Sequence, residues 1–232
     1  MADETDRKTR GAFYGRRMGH PLRKGQAAIM REALPSLALD LSKPTPADLR
    51  TLFPHDVSAV RLEIGFGGGE NLLHEAETNP GVGHIGCDVY LNGVAQFVAA
   101  ATTAKLPNIR VHHGDAQPLL DWLPEARLDR LDILYPDPWP KRRHWKRRFI
   151  SDERVKKIAR VIKPGGSLRF ATDIPHYAEW ALVRLLRSGA FAWTAEKASD
   201  WLEPWPGFPG TRYEAKAMRE GRKPAYFRFI RV

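Results

Sequence analysis

Four carboxylates stand where this chain could use them for chemistry: Glu63 in "EIGFGGG", Asp88 closing "VGHIGCD", Asp115 in "GDA" and Asp137 in "YPDPWP". The glycines of the first motif, Gly65 and Gly67 foremost, would let a ligand come close to the backbone. A turn that cradles a pyrophosphate favours G-x-G-x-x-G, yet the sixth position counted from Gly65 is Glu70. Glu63, just before the glycines, would repel a pyrophosphate and suits a cationic or amine-bearing ligand. The alternative is a tight strand–helix turn with an incidental Glu. Asp88 is placed to accept both hydroxyls of a ribose, in NAD or in S-adenosyl-L-methionine. Asp115 can meet an adenine amino group or simply cap a helix. Taken together, the acids ask for a ligand with a ribose, an exocyclic amine and positive charge. S-adenosyl-L-methionine has all three.

Asp137 sits between Pro136 and Pro138, with Trp139 and Pro140 beyond. The prolines fix φ locally and hold the carboxylate at low entropic cost, while Trp139 offers a face for a stacked base. A stiff loop packed by a tryptophan is the plainer reading. It leaves the following charges, Lys141, Arg142, Arg143, Lys146, Arg147 and Arg148, without a purpose.

The elements that must position these residues alternate from Val57 onward. Strands are expected in "VRLEIGF", "VGHIGCDV", "NIRVHHGDA", "LDRLDILYPDP" and "GSLRFATD". Helices are expected over "GGGENLLHEAE", over 91–104 and over 117–123. A further helix should run from a Ser151 cap to Ile162, where "KPGG" ends it, and another from Pro175 to Arg187. "FAWTAE" and "AYFRFIRV" read as closing strands around a loop at 199–210 and a short helix near 213–220. Such alternation predicts an α/β fold whose parallel sheet is covered on both faces, with ligands at the carboxyl ends of its strands. Each acid above falls at such an end. Asp173, ending the fifth strand, reads as a helix cap or a substrate contact. "TRYE", Thr211 to Glu214, reads as a capping box or as part of the site.

A net charge of +10 over 232 residues points to a polyanionic partner or an anionic membrane. The longest apolar window, 89–104, is broken by Asn92, Gln96 and Thr102, so no membrane span is expected. One cysteine, Cys87, allows no internal disulfide and no cysteine-based zinc cluster, and no metal site is expected. "MADETDRKTR" lacks the apolar core of a signal peptide, and the expectation is a soluble cytoplasmic protein. The charge collects in two places, residues 1–24 and the run behind Asp137. Either could be a solvated face or tail; beside an acid-lined pocket they suggest capture of a polyanion with one base delivered inward.

"LEIGFGGG", "YPDPWPKRRHWKRR", "ATD" and "TRYE" together resemble the bacterial tRNA (guanine-N7)-methyltransferases, over roughly Arg61 to Val232. The Pro-Asp-Pro-Trp-Pro-Lys motif is the specific part; the glycine loop is shared by many methyltransferases. The resemblance implies a class I, Rossmann-like methyltransferase sheet, mostly parallel with an antiparallel C-terminal strand; the basic N-terminal arm is read from its charges alone, and the first 24 residues match no fixed family pattern. It implies S-adenosyl-L-methionine as donor and N7 of guanine in the tRNA variable loop (position 46) as acceptor. It assigns cofactor contacts to Glu63, Asp88, Asp115 and Asp137 and tRNA contacts to Lys141, Asp173, Thr211, Arg212, Tyr213 and Glu214. Asp88 stands where the family usually has Glu, Tyr135 replaces a usual Phe, and Trp145 falls where His is common. The chain then divides into a mobile basic arm (1–24), a helical connector (25–56) and a methyltransferase domain (57–232). No obligate protein partner is expected, and the assembly is a monomer or a homodimer.

Guanine N7 carries an in-plane lone pair and no proton, so its methylation needs alignment and no general base. A carboxylate can accept from N1–H and N2–H₂ together. Asp137, with Asp173 or Glu214, is the expected holder of that edge. Three rival readings follow from the same residues: an RNA methyltransferase acting on a different base or atom, an NAD-dependent oxidoreductase, and a non-catalytic RNA-binding protein. Against the oxidoreductase stand the missing third glycine and the lack of a hydride-transfer His or Tyr near the site.

Overall fold

Seven strands form: β1 (Ala59–Ile64), β2 (Val82–Asp88), β3 (Ile109–His113), β4 (Leu128–Leu134), β5 (Ile162–Thr172), β6 (Phe191–Trp193) and β7 (Ala225–Arg231). A computed structural model, which describes residue 15 and residues 17–232, arranges them in one sheet of order β3-β2-β1-β4-β5-β7-β6. The pairs β1–β2, β2–β3, β1–β4 and β4–β5 are parallel, and β7 runs antiparallel to β5 and β6. Chain order therefore reverses between β1 and β4. The crevice outside their carboxyl ends is the topological switch point, where open α/β sheets bind ligands.

The connecting helices lie close to their expected places: α3 (Glu70–Thr78), α4 (Leu91–Thr103), α5 (Ala116–Trp122), α6 (Asp152–Val161) and α7 (Pro175–Arg187). Ser151 caps α6 by accepting from Arg154 N at 3.3 Å, and Pro175 occupies the first turn of α7. On one sheet face Leu62, Ile133, Leu168 and Phe170 bury against Leu119, Ile158 and Tyr177 from α5, α6 and α7. On the other, Phe66, Leu72, Val94, Phe97 and Val111 join α3 and α4 to β3. Beyond Trp193 come α8 (Ser199–Leu202) and α9 (Arg212–Arg219).

"KPGG" does not lie between helix and strand. Backbone pairing resumes at once, with Ile162 opposite Leu128, and the register then shifts so that Ser167 faces Arg130. The turn residues are absorbed as an irregularity inside β5, Gly165 adopting φ 78°. A second departure concerns the sheet face beneath α3. Arg61 and Glu63 on β1, Arg130 and Asp132 on β4 and Arg169 on β5 all point there, and Glu75 of α3 closes it with bonds of 2.6, 2.7 and 3.4 Å to the three guanidiniums. Arg169 also lies 5.1 Å from the Trp205 ring. Charge, not helix packing, covers this part of the sheet.

Of the arm expected over 1–24, residues 1–14 and 16 lie outside the described residues. Residues 17–20 rest on the start of α4: Leu91 N donates to Arg17 O at 2.9 Å, and Gly19 N to Asn92 Oδ1 at 2.7 Å. Before β1 come α1 (Lys24–Glu32), α2 (Leu34–Leu37) and a 3-10 turn at Leu49–Leu52.

Candidate active site

The loop after β1 is shaped by three glycines at positive φ, Gly65 (79°), Gly67 (56°) and Gly69 (83°). Its conformation is tied to the next strand: Gly67 N donates to Asp88 Oδ2 at 2.7 Å, and Gly65 N to Cys87 O at 2.7 Å. Helix α4 presses on it from behind. A Cβ on Gly93 would stand 2.4 Å from the Gly67 carbonyl oxygen, so only glycine fits there. This residue carried no signal in the sequence beyond being a glycine inside a helix.

Above this loop a cavity of about 420 Å³ opens at the switch point, within the ~300–1,000 Å³ range of ligand sites. Gly65, Gly67, Asp88, Asp115, Asp137 and Tyr213 line it, so six of the expected site residues converge. Tyr90, Arg147, Phe149 and Arg154 also line it and were not singled out as pocket residues from the sequence. Tyr90 follows Asp88 closely and is the one with a positional signal.

Asp88 is buried, and burial raises its pKa against the opposing N–H donors of Tyr90 and Gly67. Asp115 caps α5 with one oxygen, accepting from Gln117 N at 2.9 Å. Its other oxygen, Oδ2, is buried with no hydrogen-bond partner among the described residues. An unsatisfied buried acceptor costs roughly 1–3 kcal/mol, so this atom is poised for a donor such as an exocyclic amine. The cap reading of Asp115 is thus observed, and the second oxygen is left with room for the other. Asp88 accepts from Gly67 N and Tyr90 N at 2.7 Å each, which leaves each oxygen one further lone pair; with the orphaned Asp115 acceptor and the close glycine backbone, these residues would fit S-adenosyl-L-methionine.

Glu63, expected as a direct contact, does not line the cavity. Strand alternation turns it to the charged face below the loop, where it accepts from Asn71 Nδ2 at 2.8 Å. Burial, and then the neighbouring Asp132, push its pKa up to about 8. Asp173 is likewise drawn away, pairing with Arg222 Nε at 2.5 Å. Thr211 and Glu214 form the reciprocal capping box of α9 at 3.1 and 3.2 Å, and the buried Glu214 also accepts from Tyr226. Arg212 pairs with Glu70 on α3, while Tyr213 lays its ring against Gly67, 3.3 Å from where a Cβ would be. "TRYE" therefore docks a helix on the glycine loop and gives the cavity one wall. Lys141 is exposed just past the cavity and does not line it.

Asp137 stands open to the cavity on a strained loop. Tyr135 and Trp139, on either side of Pro-Asp-Pro, have φ of 50° and 44°, a region costing side-chain-bearing residues about 1–3 kcal/mol each. Loss of solvation raises the Asp137 pKa. Arg147 lies 5.0 Å from the Trp139 ring centroid. The basic run behind them splits three ways. Lys141, Arg142, Arg143 and Lys146 are exposed and, among the described residues, form no ion pair; Arg147 faces the cavity. Arg148 is buried at 1% exposure, so it is no part of a polyanion-binding face.

The sequence profile of a family described as "Putative methyltransferase" matches residues 58–226. A tRNA (guanine-N(7)-)-methyltransferase of Mesorhizobium japonicum is 55% identical over 97% of this chain and 96% of its own. Those of Rhizobium meliloti and Brucella melitensis are 51% and 52% identical over the full length of both chains. This chain belongs to the tRNA (guanine-N(7)-)-methyltransferase family. Among solved structures, the 16S rRNA methyltransferase KamB aligns with a TM-score of 0.54 at 19% identity, covering 79% of this chain and 91% of that one. The aminoglycoside resistance methyltransferase NpmB1 aligns at 0.51 and 19%, covering 76% and 88%. These two share the class I methyltransferase fold, as expected of the family's sheet. Among the described residues no helix is long and apolar enough to cross a membrane.

Proposed function

We propose that this chain transfers the methyl group of S-adenosyl-L-methionine to N7 of guanine in tRNA, at position 46 of the variable loop, in the cytoplasm. The observation that carries the reading is one cavity holding the orphaned Asp115 acceptor and Asp88 together with Asp137. Exposed cations that form no ion pair among the described residues follow directly in the chain.

Asp88 would hold the ribose hydroxyls, Asp115 the adenine amine, and the Gly65–Gly67 backbone the remainder of the cofactor. Bound there, S-adenosyl-L-methionine supplies an electrophilic methyl group. The rest is done by placement. N7 has no proton to lose, so no side chain acts as base; Asp137 accepts from the N1–H and N2–H₂ edge and turns N7 inward. Its negative charge favours the cationic ring that forms. With Asp173 bound to Arg222 and Glu214 inside its capping box, Asp137 is the acid left open for the guanine. Lys141, Arg142, Arg143 and Lys146, helped by the basic residues of 1–24, would grip phosphates. Residues 25–56 would then be the connector, and 57–232 the catalytic domain.

Transfer of a labelled methyl group to total tRNA, digestion and nucleoside analysis test this. Label in 7-methylguanosine, at a single variable-loop position, is the expected result. Label on another base or another guanine atom would replace the reading with its nearest rival.

A further inference from the structure

Arg148 closes the basic run, yet it is 1% exposed and, among the described residues, pairs with no carboxylate. Burying an unpaired charge is costly, and a guanidinium cannot escape by losing its proton. Its surroundings are built for it instead. The guanidinium carbon lies 5.1, 5.0 and 5.0 Å from the ring centroids of Trp145, Tyr177 and Trp180, an aromatic cage for a cation. Two hydrogen bonds leave the cage. Nε donates to the Pro138 carbonyl at 2.8 Å, and Nη1 lies 3.0 Å from His176 Nδ1. Arg148 can only donate, so in this contact His176 Nδ1 is the acceptor.

Those two partners belong to different loops. Pro138 follows Asp137 in the loop after β4; His176 opens α7, three residues beyond Asp173 at the end of β5. Pro136, Pro138 and Pro140 lack N–H groups, so the loop has few donors with which to hold itself. It nonetheless keeps Tyr135 and Trp139 at positive φ, a conformation that persists only when the surroundings impose it.

We infer that Arg148 is a positioning residue: it clamps the Asp137 loop to the start of α7, holding the Asp137 carboxylate where it can aim the acceptor base. The inference rests on the proposed methyl transfer to tRNA. A clamp of this kind acts on turnover more than on binding, because most of the cofactor's expected contacts, at Asp88, Asp115 and the Gly65–Gly67 backbone, lie on other loops even where Asp137 adds one.

Arg148→Met tests it. Methionine has similar length and can fill the aromatic cage without the charge, but it donates to neither partner. The expected outcome is a kcat lower by ~10²-fold, the scale of an ångström-sized misplacement, with the cofactor Kd and the KM for tRNA within about twofold of wild type and unchanged thermal unfolding. Arg148→Lys, which keeps the charge and one donor, should recover about tenfold of that loss. An unchanged kcat in Arg148→Met overturns the clamp. So does a kcat loss matched by equal losses in cofactor binding and thermal stability, since that marks a purely structural residue. If Arg148→Met does not fold, Arg148→Lys decides: kcat down about tenfold at unchanged KM supports the clamp, and wild-type kcat refutes it. A wild-type protein inactive on tRNA would sink the proposed function and this inference with it; an active wild type with an undiminished variant sinks the inference alone.

Discussion

Replacing Glu63 with Gln should stabilise the protein, and increasingly so between pH 5 and 8. Glu63 is buried on the charged sheet face, bonded to Asn71 and flanked by Asp132, Glu75 and Arg130. Burial first, and then Asp132, raise its carboxyl from 4.5 to about 8. The unfolded chain releases this proton near 4.5 and the folded one only near 8, so within that window the native state binds more protons and stability falls as pH rises. At about 1.36 kcal/mol per unit, the shift of roughly 3.5 units sets a ceiling of ~5 kcal/mol for the cost at pH 8. Glutamine keeps the acceptor for Asn71 and removes the ionisation. Urea unfolding of both proteins at pH 5, 6, 7 and 8 reads the difference directly. We expect near parity at pH 5, a gain of at least ~1 kcal/mol by pH 7 and a larger gain at pH 8, with cofactor affinity within about threefold because Glu63 lies outside the cavity. A pH-independent difference would refute the buried, proton-holding Glu63. A cofactor affinity lost by two orders of magnitude would restore it as a direct ligand contact.

Asp115→Asn should weaken cofactor binding about tenfold in calorimetry while α5 keeps its cap, since the amide oxygen can still accept from Gln117 N; undiminished affinity would remove Asp115 from the site. Glu75→Gln strips the shared partner from Arg61, Arg130 and Arg169, and chemical denaturation should show a loss of about 3–5 kcal/mol. Changing Lys141, Arg142 and Arg143 together to Gln should weaken tRNA binding in low salt and flatten the dependence of log Kd on log salt concentration by about 2–3, with the Kd for the cofactor unmoved. Gly93→Ala, driven against the Gly67 carbonyl, should cost about 1–3 kcal/mol of stability and weaken cofactor binding in the same titration.

What the sequence made legible was local. Asp88, Asp115 and Asp137 end their strands as the alternation of elements implies, and capping chemistry placed Ser151, Pro175 and Thr211 at the starts of helices. What stayed illegible is decided by distant residues. "KPGG" does stop α6, which ends at Val161, but pairing with β4 also draws it into β5 as an irregularity, so the strand starts earlier than "GSLRF". Glu63 was read by its distance from a glycine; which face of β1 it takes depends on Asn71, Asp132 and Glu75, none of them its neighbours in the chain. The alternation of charge in "VRLEI", "LDRLDIL" and "SLRF" did carry a sign of that face. Arg148 differs in no local way from Arg147, and only the packing of Tyr177 and Trp180 from α7 makes it a core residue. For the same reason "TRYE" was legible as a cap and as part of the site, but not as the piece that lays Tyr213 on the glycine loop.

The central claim is that Asp137 acts on the acceptor and not on the fold. Single-turnover methyl transfer to tRNA by Asp137→Ala, with saturating S-adenosyl-L-methionine and cofactor binding measured separately, tests it most directly. A rate reduced by at least ~10²-fold with the cofactor Kd within about threefold is the expected result. A wild-type rate from that variant would contradict it.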